Sequence, residues 1–436
     1  MTNGLEAARS PLKILNHVDL TVDHEDIEKR LGLHGSTPGA ILQRNKAIVL
    51  KHAAMTRNIR GLSVDRTLFD LTRDETEVPM ARELLRRYLQ CAQVEFHPSD
   101  ICNEACRGCT YGHDEAAHKP PAVCFPYYRL YELAKLQPRA MTIVGGGEPL
   151  LYKDGTKGFA DLMNSLRNQL PLCRFGLITN GTLIPPGGWF HHFDWVRFSV
   201  DAASPQTYAK VRGRNLFHLV VRNFFAILDG SEIPQVNIGF VFSRENIGEA
   251  PDAAHFFYEQ VRSHRPEALD RLHIEYRPLR KDSKDEGRTD FPEAVTEQDI
   301  AACFSRFTDL ARDDKPFQKF LGSQTNMEII GRGNTHKQVA FEHCGFSSIF
   351  RLVRADGEMR PCCMRLFDPE FYLGNLLLDP PESIALNIIA NANFLKPGCD
   401  AAGCKLGQYN KLTEDGADGI AAPSNNPAIR SNPFFG

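Results

Sequence analysis

Three cysteines, Cys102, Cys106 and Cys109, stand in the run Ile-Cys-Asn-Glu-Ala-Cys-Arg-Gly-Cys-Thr-Tyr with the spacing C-x3-C-x2-C. This spacing offers three thiolates to one metal centre and withholds a fourth. A cubane iron–sulfur cluster held in that way keeps one iron open to an exchangeable ligand. Structural zinc sites are instead closed by four ligands. Three ligands and an open position describe a reactive centre, so the rest of the chain is read for what such a centre needs.

Three further polar groups follow short apolar runs. Val144-Gly-Gly-Gly-Glu-Pro-Leu150 sets glycines, which permit close backbone approach, before the carboxylate of Glu148. It lacks the G-x-G-x-x-G or Gly-Lys-Ser/Thr pattern of a phosphate cradle, and an acidic group suits an amine better. Thr179-Asn180-Gly181-Thr182 reads as a polar turn, with a ligand role for Asn180 left open beside it. Ser199-Val-Asp201 places a hydroxyl and a carboxylate two residues apart, hence on one strand face, where a carboxylate suits ribose hydroxyls.

The elements that carry these groups alternate. Strand-like runs at Val94–Phe96, Met141–Val144, Phe175–Ile178, Val196–Val200, Val236–Phe242 and Leu272–Tyr276 are separated by helical patterns at Tyr127–Leu136, Gly158–Gln169, Pro205–Val211, Phe217–Leu228 and Ala250–Ser263. Such alternation predicts an α/β fold of parallel βα units. Six strands are too few for a closed eight-stranded barrel, so an open partial barrel or a doubly wound sheet is expected, with chemistry at the carboxyl ends of the strands. The expected organisation is a helical N-terminal extension over 1–90, a core over 91–280, a helical bridge over 281–339, a cysteine-rich extension over 340–411 and a tail over 412–436.

The 436 residues, 42% hydrophobic, suffice for a substantial core, and 54 acidic against 51 basic residues give a net charge of −3, with no nucleic-acid or membrane-surface signature. No apolar run approaches the roughly 20 residues of a membrane helix. The start has neither a basic nor an apolar signal region, so a reducing cytoplasm is expected. In that setting twelve cysteines point to metal or redox chemistry rather than a disulfide framework.

Taken together, C-x3-C-x2-C, Gly146-Gly147-Glu148-Pro149, Thr179-Asn180-Gly181 and Ser199-Val-Asp201 resemble the radical S-adenosylmethionine superfamily across roughly residues 91–410. The stretch from Ser199 to Gly213 resembles its subfamily with a SPASM or Twitch extension. The resemblance implies a partial (β/α)6 barrel in which Cys102, Cys106 and Cys109 bind a [4Fe–4S] cluster and S-adenosylmethionine chelates its open iron. Gly146, Gly147 and Glu148 would receive the methionine amine, and Ser199 and Asp201 would lie near the carboxylate or ribose. Reductive cleavage would give a 5′-deoxyadenosyl radical that takes a hydrogen atom from substrate, with flavodoxin or ferredoxin as electron donor. The family usually has an aromatic residue before the third cysteine; here it is Gly108, and Tyr111 is the candidate substitute near adenine.

Five later cysteines resemble the Twitch version, implying one auxiliary [4Fe–4S] cluster on Cys344, Cys362, Cys399 and Cys404, with Cys363 able to exchange with Cys362; a four-cysteine zinc site is the alternative. Cys91, Cys124, Cys173 and Cys303 read as small buried hydrophobes. His97, His113 and His118 flank the triad without a defined acid–base role. Among relatives of this type, substrates include sugars and aminocyclitols, which undergo dehydrogenation, dehydration or epimerisation. A precursor peptide is the second reading, weakened by a helical rather than hairpin-like N-terminal pattern. A non-catalytic iron–sulfur or zinc scaffold is the third. Tyr276 and Arg277 are candidate substrate contacts by position.

Overall fold

The computed structural model describes residues 89–113, 122–280, 291–333, 344, 347, 350–363 and 366–381, with 384, 385, 387 and 388. The expected N-terminal extension (apart from residues 89 and 90), His118, Cys399, Cys404 and the tail over 412–436 lie outside the described residues.

In chain order the core comprises β1 (Gln93–Phe96), α1 (Leu130–Ala134), β2 (Ala140–Ile143), a small hairpin of β3 (Lys153–Asp154) and β4 (Lys157–Gly158), α2 (Phe159–Gln169) and β5 (Arg174–Thr179). It continues with β6 (Trp195–Ser199), α3 (Pro205–Arg212), α4 (Phe217–Gly230), β7 (Gln235–Phe242), α5 (Ala250–His264) and β8 (Leu272–Pro278). Then come α6 (Glu297–Ala311), α7 (Lys315–Gln324), α8 (Glu328–Gly331), β9 (Phe350–Val353), β10 (Glu358–Arg360) and β11 (Gly374–Asn375). Local signals set the helix starts. Ser204 accepts from the Thr207 amide ahead of Pro205 in α3, and Thr296 accepts from the Asp299 amide in α6.

One nine-stranded sheet runs β11-β10-β9-β1-β2-β5-β6-β7-β8. The six expected strands are present and parallel, and a seventh parallel strand joins them. That strand is β9, which pairs with β1 from Gln93↔Phe350 to Phe96↔Val353. The segment read from sequence as the start of an extension thus completes the core sheet on its β1 side. At the opposite edge, Asn326 receives the Tyr276 amide at 2.7 Å and donates to the Tyr276 carbonyl at 3.2 Å, so β8 is not left as a bare edge.

Period-two alternation divides the sheet into unlike faces. Val94, Phe96, Met141, Ile143, Phe175, Leu177, Val196, Phe198, Ile238, Phe240, Ile274 and Tyr276 are buried in one apolar core with Phe224 and Leu228 of α4 and Phe257 and Val261 of α5. The other face carries Glu95, Thr142, Arg197, Ser199, Asn237, Glu275 and Arg277. Tyr276 and Arg277 therefore point to opposite sides. Tyr276 is wholly buried on the helix side with its hydroxyl donating to the Ala250 carbonyl, which removes it as a substrate contact.

Candidate functional site

The loop after β1 carries the cysteine triad and lies over the carboxyl ends of β2 and β5. The Gly147 amide donates to the Ser99 carbonyl and the Glu148 amide to the Ile101 carbonyl, both at 2.7 Å. A side chain at Gly147 would overlap the Ile101 carbonyl oxygen. The glycine run thus admits the backbone of the cysteine loop itself, a role the sequence suggested only for a ligand. His113 donates to the Gly146 carbonyl at 2.7 Å, fixing the far side of the same loop.

Glu148 is buried and accepts three hydrogen bonds: from the Leu150 amide at 3.0 Å, the Thr179 hydroxyl at 2.6 Å and the Asn180 amide at 2.6 Å. The carboxylate therefore ties the end of β2 to the end of β5. Burial pushes its pKa up to about 7 against the lowering effect of the three donors, leaving a carboxyl ready to be ionised by a nearby cation. Asn180 donates to Asn103 Oδ1 at 2.8 Å, and Asn103 donates to the Thr182 hydroxyl at 2.8 Å. Asn103, next to the first cysteine, is thereby locked to the β5 turn.

A second network holds the other side of the loop. The buried Glu104 carboxylate accepts from Arg212 Nη2 at 2.6 Å and Nε at 3.1 Å, and from the Tyr208 hydroxyl at 2.5 Å. Arg212 Nη1 also donates to Asp201 at 2.9 Å, and Asp201 accepts from the Val241 amide at 2.6 Å. Asp201 adopts a left-handed backbone, φ 60°, that aims its side chain into this network rather than along the strand. The Ala105 amide donates to the Arg212 carbonyl at 3.3 Å and the Arg107 amide to the Val211 carbonyl at 2.9 Å, so α3 and the triad loop form one unit. Asn103, Glu104, Tyr208 and Arg212 were not singled out from sequence. Their signal was there: two polar residues between cysteines, and an arginine eleven positions after Asp201.

The three thiols are partly buried, and Cys102 and Cys109 both bear electrostatically on Cys106. Burial pushes Cys102 up to about 12 and Cys106 well above the usual thiol range, although Arg212 pulls the other way. Such thiols ionise on binding a metal, with release of protons. The donor set fits a thiolate-held cluster: three soft ligands in one loop, with a guanidinium beside them to offset thiolate charge.

Gly108 has φ 69°, a conformation that an aromatic side chain would adopt only under strain. Tyr111 turns toward the later cysteines. Its hydroxyl lies 3.3 Å from His97 Nε2, its ring packs edge-on against His97 and Phe367, and it shares an apolar cluster with Cys344, Cys362 and Cys363. That cluster centres on Ala92, Phe350, Leu352 and Leu366. Ser199 ends β6 on the polar face, paired with Gly239. Cys91, Cys173 and Cys303 are buried, while Cys124 is half-buried with its thiol 3.5 Å from the Ser99 hydroxyl.

The sequence matches the Radical SAM superfamily over residues 96–257. No curated protein matches the chain. Among solved structures, SuiB of Streptococcus suis bound to its precursor peptide SuiA superposes with a TM-score of 0.52 at 13% identity, covering 84% of this chain and 83% of that one. SuiB bound to S-adenosylmethionine gives a TM-score of 0.48 at 13% identity over 78% and 76% of the two chains. Native anSMEcpe with bound AdoMet gives 0.46 at 18% identity over 73% and 88%. At these identities the likeness to SuiB with SuiA is one of fold, and the match over 96–257 contains the triad, Glu148, Asn180, Ser199 and Asp201.

Proposed function

We propose that this chain, with the Radical SAM superfamily match over residues 96–257, is an enzyme that cleaves S-adenosylmethionine reductively and takes a hydrogen atom from a polar substrate. Cys102, Cys106 and Cys109 would hold a [4Fe–4S] cluster. When bound, that cluster supplies the electron that splits the sulfonium and so furnishes a carbon radical for C–H activation. The observation that carries the reading is the fastening of the triad loop to the motifs at the ends of β2 and β5 and, through Arg212, to Asp201. Glu148 would serve the amine of S-adenosylmethionine, with Gly146, Gly147 and Asn180 shaping its pocket and Ser199 and Asp201 bordering the ribose or carboxylate.

The substrate reading is a sugar or aminocyclitol-type small molecule undergoing dehydrogenation, dehydration or epimerisation. It is supported by the polar face that Arg197, Asn237, Glu275 and Arg277 present. The second reading, a precursor peptide, draws on the fold-level likeness to SuiB crystallised with SuiA. Cys344, Cys362 (or Cys363), Cys399 and Cys404 would hold an auxiliary [4Fe–4S] cluster, and a flavodoxin or ferredoxin would supply electrons.

The test is anaerobic reconstitution followed by reduction in the presence of S-adenosylmethionine. Wild type is expected to release 5′-deoxyadenosine, whereas Cys106→Ala loses that activity and about four irons. Full 5′-deoxyadenosine release by Cys106→Ala would overturn the assignment.

A further inference from the structure

Among the described residues, the polar face of the sheet carries a guanidinium with no hydrogen-bond or ion-pair partner, that of Arg277. On β6, Arg197 is buried and its guanidinium forms an ion pair with Glu275 of β8. Its stem crosses β7 at Gly239, where a Cβ would come within 3.2 Å of Arg197 Cδ, so a larger residue there would crowd the crossing. Asn237 of β7 donates to the other Glu275 oxygen at 2.8 Å. Both Glu275 oxygens are therefore hydrogen-bonded, and Arg197, with Arg277 acting from farther away, holds the group in the ionised form.

Arg277 lies two residues further along β8, toward the carboxyl end and on the same face. Among the described residues it has no ion-pair or hydrogen-bond partner, and its Nε is buried without one. The acids nearest to it are already occupied: Glu275 by Arg197 and Asn237, and Asp201 by Arg212 and the Val241 amide. Burial and the neighbouring Arg197 lower its pKa to about 10, so it remains a cation at neutral pH. Two residues on, Leu279 reaches the triad loop, with its Cδ2 3.2 Å from where a Cβ of Gly108 would sit. This guanidinium, without a direct partner among the described residues, thus lies on the polar face just before the contact with the cysteine loop. Cys363 of the later cysteine group is among the groups acting on it.

We propose that Arg277 is the anion receptor of the substrate pocket, and that the substrate carries a carboxylate or comparable anionic group that pairs with it. This inference rests on the functional reading above and narrows its substrate class. Arg197 and Asn237 act as positioning residues: by hydrogen-bonding one oxygen each they hold Glu275 out of a direct pair with Arg277. A guanidinium offers a planar fork that matches a carboxylate through two parallel hydrogen bonds, which a lysine does not reproduce.

The experiment uses the full-length, anaerobically reconstituted protein with acetate as probe, titrated at constant ionic strength against chloride and read by thermal unfolding. S-adenosylmethionine affinity is measured in parallel by equilibrium dialysis. Wild type is expected to gain stability with acetate; Arg277→Met should bind acetate about thirtyfold or more weakly, and Arg277→Lys should fall between, with S-adenosylmethionine affinity unchanged in both. Acetate-dependent stabilisation that persists undiminished in Arg277→Met and Arg277→Lys overturns the proposal. So does a parallel fall in S-adenosylmethionine affinity, which would assign Arg277 to the cosubstrate carboxylate. Failure of wild type to cleave S-adenosylmethionine would count against the enzyme reading, while the acetate measurement would still report on the anion site.

Discussion

The two cysteine regions differ in what packs around their side chains. The Cys102–Cys109 loop is fastened by buried charges and hydrogen bonds: Glu104 with Arg212 and Tyr208, Asn103 with Asn180 and Thr182, and backbone bonds to Gly147 and Glu148. Cys344, Cys362 and Cys363 rest against an apolar patch of Ala92, Phe350, Leu352 and Leu366 that the pairing of β9 with β1 brings to the core. Apolar contact is non-directional, and it holds a group near without fixing its orientation. A buried polar network tolerates few arrangements, because each unpaired member is costly. The difference matches two tasks. On the proposed function the triad loop would have to present an open position at one place relative to the strand ends, whereas the second group would need only to be kept close to Tyr111.

The harshest way to break this contrast is Arg212→Met. It leaves Glu104 and Asp201 without their shared cation in a buried site, with an expected cost of about 3–5 kcal/mol. The loop should lose iron-binding capacity together with that stability, measured by denaturant unfolding and iron content. Adding Glu104→Gln to Arg212→Met should recover part of the loss, and a double-mutant cycle measures how much.

Glu148 sharpens the contrast through pH. Its carboxyl has a folded pKa of about 7 against an ordinary value of 4.5, so the folded state binds the proton more tightly than the unfolded chain does. The associated stability is fully present below pH 4.5 and is lost as pH rises to about 7, a change of ~3 kcal/mol. Unfolding of wild type and Glu148→Gln at pH 5 and pH 8 should differ in this slope, the variant lacking it. An equal slope in both would assign the pH dependence to other groups.

Tyr111→Phe gives the smallest effect and probes the seam. Losing the hydroxyl contact to His97 while keeping the ring against Phe367 should cost about 0.5–1.5 kcal/mol. A loss several times larger would show that the hydroxyl, and not the ring, fixes the seam.

Much of this was legible in the chain. The strand runs from Val94–Phe96 to Leu272–Tyr276 stand in the order and parallel arrangement that their alternation with helices predicts, because each βα unit is encoded locally. The site motifs were visible for the same reason, each following a strand. Two kinds of feature were not. The pairing of β9 with β1 joins segments more than 250 residues apart, and no local pattern records a strand's eventual neighbour. The Arg212–Glu104–Asp201 network depends on the left-handed backbone at Asp201 and on how α3 meets the loop, neither of which composition displays. Tyr276 and Arg277 were read together, although adjacent strand residues face opposite sides. Period two alone would have separated them.

The parallel pairing of β9 with β1 also bears on how the chain reaches its native state. β1 is nearly all buried, and one of its two hydrogen-bonding edges is filled only by residues made much later. During synthesis or refolding that edge stays unpaired until the last parallel strand arrives, a slow long-range closure that leaves a sticky intermediate. Truncation before residue 350 would make that transient state permanent. A shortened chain is therefore expected to aggregate rather than to persist as a smaller folded core, even though the cysteine loop and every site motif up to Arg277 would still be present.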